Sequence, residues 1–489
     1  MAQKPIMGAS IEITETDQAN NLVATYITSP FGENASRVDV VVRDQFVGLY
    51  QEPALISSQI PQNSTSYARS ILNAFLPAGY PHSVTSDYLE YQIYDSLQAF
   101  SSSIAGMLSS RAVLEGIGVG DSGASPTAAL LLSVLQESMG RIATILFAHR
   151  LGTSLEPECK MYRLAADIFN DAAMILDCLS PALPKTSRVG LLSLSSVLRS
   201  LCGVAAGSSK ASLSAHFATQ GNLGELNAKD SSQETIISLL GMLAGSLVVS
   251  HISTKWATWT AMIFLLAIHL GTNYLAVRAV CMRTLNRQRA NLAFSASLAY
   301  IEQEGVSILR REPDGFAKVP SPTPDDVRIQ ERIFERDGVL RWKGAVLGYC
   351  KVGVGLQTLL RSFSSRNRVT GSYEPSQDFK RLLKIFDKAP YIIWFDEPSR
   401  TFLVVLEKEA NAESELRAWL FALYLAKFGR KSDETVLDAL DRTFKRLRWI
   451  DQDILEHLRR AGWNTEISAL ETHSGTRIKR PRPPTGFKT

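Results

Sequence analysis

At 489 residues the chain is too long for one ordinary domain, and 45% hydrophobic with 20% charged residues is the composition of a folded protein, not a disordered one. The net charge of +4 sits at the end: residues 472–489 hold five basic residues and no acid. The remainder is near −1, which excludes a generally basic nucleic-acid binder, and five scattered cysteines without a CxxC exclude a zinc-finger site or a disulfide framework.

The opening MAQKPIMGASIEITETDQ has no charged-then-apolar signal pattern and is too acidic for a transit peptide, so membrane insertion would use internal segments. Residues 1–68 read as a β-rich segment, because IEITET and RVDVVVRDQF alternate with period two between Gly, Asn, Pro and Ser breaks. Residues 69–300 read as a helical core. ARSILNAFLPAGYPHSV pauses at Pro77 and Pro81, and Ser86 and Asp87 then cap a helix over DYLEYQIYDSLQAFSSSIAGML. A second helix spans 126–149. Its AALLLSVL start is apolar, but Glu137 and Arg141 form an i, i+4 pair that suits a buried rather than lipid-facing segment. A third covers 160–180 and stops at Pro181. On it Arg163, Asp167 and Asp171 recur every four residues with Asn170 beside them, forming one polar face. A surface row of ion pairs is the commoner meaning of that pattern. A cation site is the other, and without a second-helix ExxH no metal is assigned.

GVAAGSSKAS, further on, reads as a helix start. Gly207, Ser208, Ser209 and Lys210 would offer backbone N–H groups, hydroxyls and a cation to a phosphate, against the more ordinary role of a serine cap with a solvated lysine. Ser231 to Glu234 (SSQE) matches a capping box, which leaves Lys229 and Asp230 to pair at a membrane boundary or line a polar cavity. Residues 235–254 and 256–277 then contain no Asp, Glu, Lys or Arg and are separated by Lys255 alone. Each reaches the roughly 20 apolar residues that cross a bilayer. Trp256 and Trp259 mark one end; Arg278, Arg283, Arg287 and Arg289 mark the other, with no acid before Glu302, as suits an anionic leaflet. Against this, His251, His269 and Asn273 favour a hairpin buried in a soluble protein. Gly241/Gly245 and Gly203/Gly207 are GxxxG pairs that permit close helix approach. From 189 to 299 only eight basic and three acidic residues occur, about half the charge density of the whole chain. The expectation is a membrane-embedded core in contact with lipid.

Enzyme patterns do not survive inspection. Gly118 to Gly123 matches G-x-G-x-x-G, and its GDSG a protease nucleophile, but neither a βαβ unit nor a triad accompanies them. No P-loop exists, and the seven histidines form no HxxxH. Residues 301–376 read as a linker with short elements, including a charged helix in DDVRIQERIFERDG and a strand in AVLGYCKVGVGL. Residues 377–470 read as an α+β domain: YIIWF and TFLVVLEKE joined by a DEPSR turn, then AESELRAWLFALYLAKF and a longer helix that breaks internally. Residues 471–489, with RIKRPRPP, read as a basic disordered tail.

The runs LPAGYPHSVTSDYLEYQIYDSLQAFSS, LEGIGVGD, YRLAADIFNDAAM, GVAAGSSKASLSAHFA, NAKDSSQET and RTLNRQR, in this order, resemble the root UVB sensitive family, also called the DUF647 family. The likeness covers about residues 72–289 and continues more weakly to the C-terminus. It departs at Ala206, where a glycine is expected, and at Lys210, where an arginine is expected; charge is kept there but bidentate chemistry is not. The resemblance implies a membrane protein linked in plants to UV-B-dependent seedling development, vitamin B6 balance and auxin transport, with some members in plastids and no established catalytic residue. The expected protein is mainly α: a helical, membrane-embedded core with a small α+β C-terminal domain and a short β-rich N-terminal segment. Its expected role is non-enzymatic, through a paralogous partner or a second copy. The alternative is a carrier for a small anionic metabolite such as a phosphorylated B6 vitamer, held by Lys210, Lys229, Asp230, Arg283 and Arg287 around a bundle cavity. Pyridoxal phosphate is the only cofactor under consideration.

Overall fold

The computed structural model describes residues 11–16, 22–30, 36–41, 75–117, 126–304, 321–362, 377–473 and 475–480. The G-x-G-x-x-G stretch, the helical start near Tyr67, the Pro-rich part of the 301–376 segment and the last nine residues lie outside these. The chain forms two units, Met1–Leu89 with Ser214–Leu240, and Glu90–Leu213 with Gly241–Thr489.

In the first unit, β1 (Ile11–Thr16), β2 (Leu22–Pro30) and β3 (Ser36–Val41) make an antiparallel meander, with Ile11 opposite Thr28 and Thr25 opposite Val41. IEITET and RVDVV fall in strands, as their alternation predicts. In the same unit Val84 bridges to Ala218, the Tyr88 ring packs edge-on against Phe217 at 5.5 Å, and His216 Nε2 lies 3.0 Å from Asp87 Oδ2.

The helical elements are α1 (Tyr88–Ile117), α2 (Pro126–Leu151), α3 (Cys159–Leu179), α4 (Lys185–Phe217), α5 (Leu223–His251), α6 (Lys255–Ala279) and α7 (Arg287–Glu304). Four stretches are long and apolar enough to cross a membrane by length and composition: Leu130–Ser154, Lys185–Phe217, Leu223–His251 and Lys255–Ala279. The sequence points to the last two; the first two are additions. The 126–149 helix is not buried as expected. Ile145 is 68% exposed, with Leu130, Leu131 and Leu146 exposed beside it, and the Glu137–Arg141 pair (3.3 Å) lies on the surface.

Between α5 and α6 the chain turns in three residues, Ile252 to Thr254. Thr254 Oγ1 caps α6 by accepting from Ala257 N at 3.2 Å, and Arg111 Nη1 donates to Val249 O and Ile252 O at the C-terminal end of α5. Gly241 and Gly245 do bring two helices together. A Cβ on Gly241 would come within 2.6 Å of Ser103 Cβ on α1, and one on Gly245 would meet Met107 and Ile104. Gly203 and Gly207 face open space, so the second GxxxG is not a contact.

The C-terminal domain is a mixed sheet ordered β4 (Val339–Trp342), β5 (Ala345–Val352), β7 (Thr401–Glu407), β6 (Tyr391–Asp396), with β8 (Arg477–Ile478) also on β7. β6 and β7 form the antiparallel hairpin read from sequence, Tyr391 opposite Leu406, while β5 and β8 run parallel to β7. Every residue of β7 is buried, as a central strand requires. Packed on the sheet are α11 (Ala412–Phe428) and α12 (Val436–Leu447); α10 (Gln377–Ile385) packs on α12 and α13 (Asp451–Arg460) on α11 and α7, while α8 (Pro324–Gln330) and α9 (Leu356–Leu360) are short. β4 and β5, from the segment read as a linker, complete this sheet. α7, read as part of the helical core, places Ala290, Ala293, Phe294, Leu298 and Ile301 in the C-terminal hydrophobic core. The tail is not disordered from residue 471. β8 pairs with β7, Arg477 Nη2 meets Glu471 Oε2 at 2.7 Å, and Arg480 pairs with Glu407 and donates to Phe386 O and Ala389 O.

The arginine cluster after α6 is compensated, against the expectation of a lipid-facing cationic patch. Arg289, 1% exposed, puts Nε 2.9 Å from Glu331 Oε1, and Lys160 Nζ lies 2.6 Å from the other oxygen of the same carboxylate. Arg287 binds Glu158 (3.0 Å) and Asp337, and Arg278 donates to Ile329 O and Glu331 O. Arg283 alone of the four has an exposed side chain and no acidic partner among the contacts described. These acids come from far along the chain, so Arg287 and Arg289 clip the C-terminal domain to the start of α3 and to α7.

Trp419 is fully buried, and its Nε1 donates to Asn291 Oδ1 at 2.9 Å while Asn291 Nδ2 donates to Val339 O at 2.7 Å. Trp419→Ala removes the ring and orphans Asn291; it is expected to destabilise the C-terminal domain by about 3–5 kcal/mol in denaturant unfolding. Burial opposes ionisation of Glu331, but Lys160 and Arg289 outweigh it and hold the carboxyl below its ordinary value. A depressed folded value means the stabilisation is complete above the unfolded pKa of about 4.3 and is lost as pH falls through the folded value. Thermal unfolding followed by tryptophan fluorescence should therefore be flat above about pH 5 and fall below it, with the acid dependence reduced in Glu331→Gln.

Candidate functional site

The polar face of α3 points inward. Arg163, Asp167 and Asp171 are all buried, which overturns the surface-row expectation. Four-residue spacing stacks them along one side of the helix, and that side meets α1 and α6. From α1 come Tyr91, Asp95 and Gln98; from α6 come His269 and Asn273, also four apart and both 0% exposed.

Arg163 is the hub. Nη2 lies 2.6 Å from Asp95 Oδ1 and 3.1 Å from Gln98 Oε1, Nη1 lies 3.1 Å from Asp167 Oδ1, and Nε lies 3.4 Å from Tyr91 OH. Asp167 Oδ2 accepts from Gln98 Nε2 at 2.7 Å and from Asn273 Nδ2. The Gln98 amide nitrogen also sits 2.9 Å from His269 Nε2. On the ring's other side, His269 Nδ1 is 2.6 Å from Asp171 Oδ1, with angles bent away from those of a hydrogen bond. Asp171 Oδ2 and Asn273 Oδ1 have no hydrogen-bond partner among the described residues. Two carboxylates thus bind one guanidinium in an apolar bundle with a third, Asp171, against the His269 ring, and small hydrophobic contacts among Ala105, Leu108, Met174, Met262 and Leu266 hold the same three helices together. Asn170 is not part of it; it donates to Ser102 Oγ at 3.3 Å.

Sequence reading found Arg163, Asp167 and Asp171 but not their partners. His269 and Asn273 were visible as two polar residues four apart in an otherwise apolar run, and counted against a membrane rather than toward a site. Asp95 and Gln98, three apart in an ordinary amphipathic helix, carry no comparable signal.

The candidate anion-binding residues are spread over different elements. Gly207, Ser208, Ser209 and Lys210 lie inside α4, not at a helix start, so their N–H groups are spent within the helix. Ser209 Oγ donates to Ala205 O at 2.7 Å, an ordinary back-bond. Lys229 and Asp230 lie inside α5, which begins at Leu223, so Ser231 to Glu234 is no capping box. Arg283 lies between α6 and α7 and Arg287 is the first residue of α7, already bound to two carboxylates. No group of three or more His, Cys, Asp or Glu suited to a metal occurs among the described residues.

Removing Arg163 would leave Asp95 and Asp167 buried without their counter-charge. Arg163→Ala is expected to cost about 3–5 kcal/mol, read as a drop in the midpoint of thermal unfolding in detergent. Arg163→Lys should recover little, since one ammonium cannot reach Asp95, Asp167 and Gln98 together.

Two family models match the chain: one described as a vitamin B6 photo-protection and homoeostasis domain over residues 61–301, and one described as root UVB sensitive protein, C-terminal, over residues 349–474. RUS family member 1 of Dictyostelium discoideum is 38% identical over 286 residues, 58% of this chain and 51% of that protein, so the chain spans about half of that relative's length. Protein root UVB sensitive 3 of Arabidopsis thaliana is 32% identical over 415 residues, 81% of this chain and 83% of the relative. Protein root UVB sensitive 2, chloroplastic, of the same plant is 27% identical over 408 residues, 81% of this chain and 82% of the relative. No solved structure matches. By these matches, and by the motifs that run from α1 to α7, the chain belongs to the root UVB sensitive family.

Proposed function

We propose that the chain is an integral membrane protein that acts by binding a protein partner rather than by catalysis, in the vitamin B6 homoeostasis for which its N-terminal family domain is named. The observation that carries the membrane part is the outward surface of α5 and α6. Leu239, Leu240, Leu243, Leu247, Ile263 and Phe264 are exposed over lengths that carry no charged side chain. Moving each such side chain from water into apolar surroundings gains roughly 1.5–3 kcal/mol, and only lipid or another protein supplies those surroundings.

α2 supports the partner. Its apolar face carries Glu137 and Arg141, paired and exposed, at mid-length. A charged residue at the centre of a lipid-facing helix costs about 2.5–3.5 kcal/mol, whereas a facing protein surface can satisfy the pair. A second copy of the chain or a paralogue fits, with lipid around the remainder. An anion carrier fits less well. Arg287 and Arg289 are neutralised by carboxylates, and the buried cluster around Arg163 is acidic in balance, which repels a phosphorylated vitamer or pyridoxal phosphate. No arrangement of these groups calls for nucleic acid.

Membranes carrying the tagged chain should keep it through carbonate washing and release it in detergent. Differently tagged copies, or chain and paralogue, should co-purify, and Ile145→Lys on α2 should abolish co-purification without releasing the chain from the membrane. Recovery in the carbonate supernatant would sink the membrane reading; failure of any pair to co-purify would sink the partner reading.

A further inference from the structure

The polar cluster holds more negative charge than its surroundings can bear. Asp95, Asp167 and Asp171 face the single permanent cation Arg163, and the side chains are buried or nearly so. Asp95 and Asp167 are directly bound to the guanidinium, while Asp171 is not. Among the described residues its ion-pair contact is with the His269 ring.

The hydrogen-bond chain favours one tautomer of that ring. Gln98 Oε1 accepts from Arg163, which turns the amide NH2 toward Asp167 Oδ2 and His269 Nε2. An NH2 group only donates, so Nε2 accepts and carries no proton. The imidazole is then neutral with its proton on Nδ1, which is the nitrogen 2.6 Å from Asp171 Oδ1; two bare acceptors would repel at that separation. The ring thus lies between two carboxylates, 2.6 Å from Asp171 Oδ1 and 3.5 Å from Asp167 Oδ2; beside a neutral ring an ionised Asp171 would stand uncompensated, with Oδ2 bare.

We propose that Asp171 and His269 form a proton-binding site in the helical bundle, with a proton from solvent making an O–H bond at Asp171 Oδ2 while the imidazole remains neutral. The O–H bond that breaks is in the hydronium ion that delivers the proton, which leaves as water. The groups around it are Tyr91, Asp95 and Gln98 on α1, Arg163 and Asp167 on α3, and Asn273 on α6. On α4, Cys202 lies within electrostatic reach of both Asp167 and Asp171, and Arg199 is held by Asp177. A protonatable carboxyl between helices of this kind is what couples a bundle to proton movement, since gain or loss of the proton changes how α3 seats on α6.

The test uses full-length protein in lipid nanodiscs and infrared spectroscopy of the carboxylic-acid carbonyl stretch at neutral pH. Wild type should show a buried protonated-acid band that shifts in heavy water. Asp171→Asn, an isostere of the protonated acid, should fold with near wild-type stability and lose the band. Asp95→Asn, at a carboxylate bound by Arg163, should keep the band. Absence of the band in wild type, or its survival in Asp171→Asn, would overturn the proposal. Misfolding of Asp171→Asn would overturn it too, because an amide replaces a neutral acid far more easily than an ionised one. A band that appears in choline buffer and vanishes on adding sodium would give the site to a metal cation and overturn it equally.

Discussion

A guanidinium buried among apolar helices has to be surrounded by acceptors, and this requirement at Arg163 governs the helical part of the protein. Asp95 and Gln98 reach it from α1, Asp167 from one turn along α3, and Asn273 is tied to the same carboxylate from α6. Sliding any one of the three helices by a turn would strand a charge, at a cost no nearby hydrophobic contact could offset. The apolar layer of Ala105, Leu108, Met174, Met262 and Leu266 fills the space between, but would tolerate several registers. The ionic layer tolerates one.

A second buried charge does the same for the C-terminal domain. The Glu331 carboxylate takes Lys160 on one oxygen and Arg289 on the other, and so ties the start of α3, the start of α7 and the strand-entering segment to one point. α7 then lies both beside this ionic knot and within the hydrophobic core beneath the sheet, where Phe294 and Leu298 pack. The sheet is closed at its far end by Arg480, whose guanidinium answers Glu407 and two carbonyls. In each place a basic residue that looked free for lipid or solvent is part of the protein's own frame.

Local patterns were legible where a segment's own chemistry decides its conformation. The β6–β7 hairpin, α11 with its Asn411 cap and Gly429 end, the break between α12 and α13, and α3 ending before Pro181 all follow from neighbours in the chain. Two local signals misled. Ser231 with Glu234, and Gly207 with Ser208, have the composition of helix starts, yet both lie within long helices; once a helix has nucleated, each further residue gains a hydrogen bond, and a mid-chain capping pattern cannot compete. The fate of the charges could not be read at all. Asn273 and Arg163 are 110 residues apart, and Arg289 finds its acid at Glu331 beyond the end of α7, so no window of sequence displays either pairing.

α3 has a further consequence for how the protein is made. Alone it is a poor candidate for a bilayer, with Lys160, Arg163, Asp167, Asp171 and Asp177 in little more than five turns. Its polar edge is satisfied from two sides, by Asp95 and Gln98 on α1, made before it, and by His269 and Asn273 on α6, made long afterwards. The charged face of α3 is therefore matched only when all three helices are present, so this layer of the core is completed by the last of them to be made, α6.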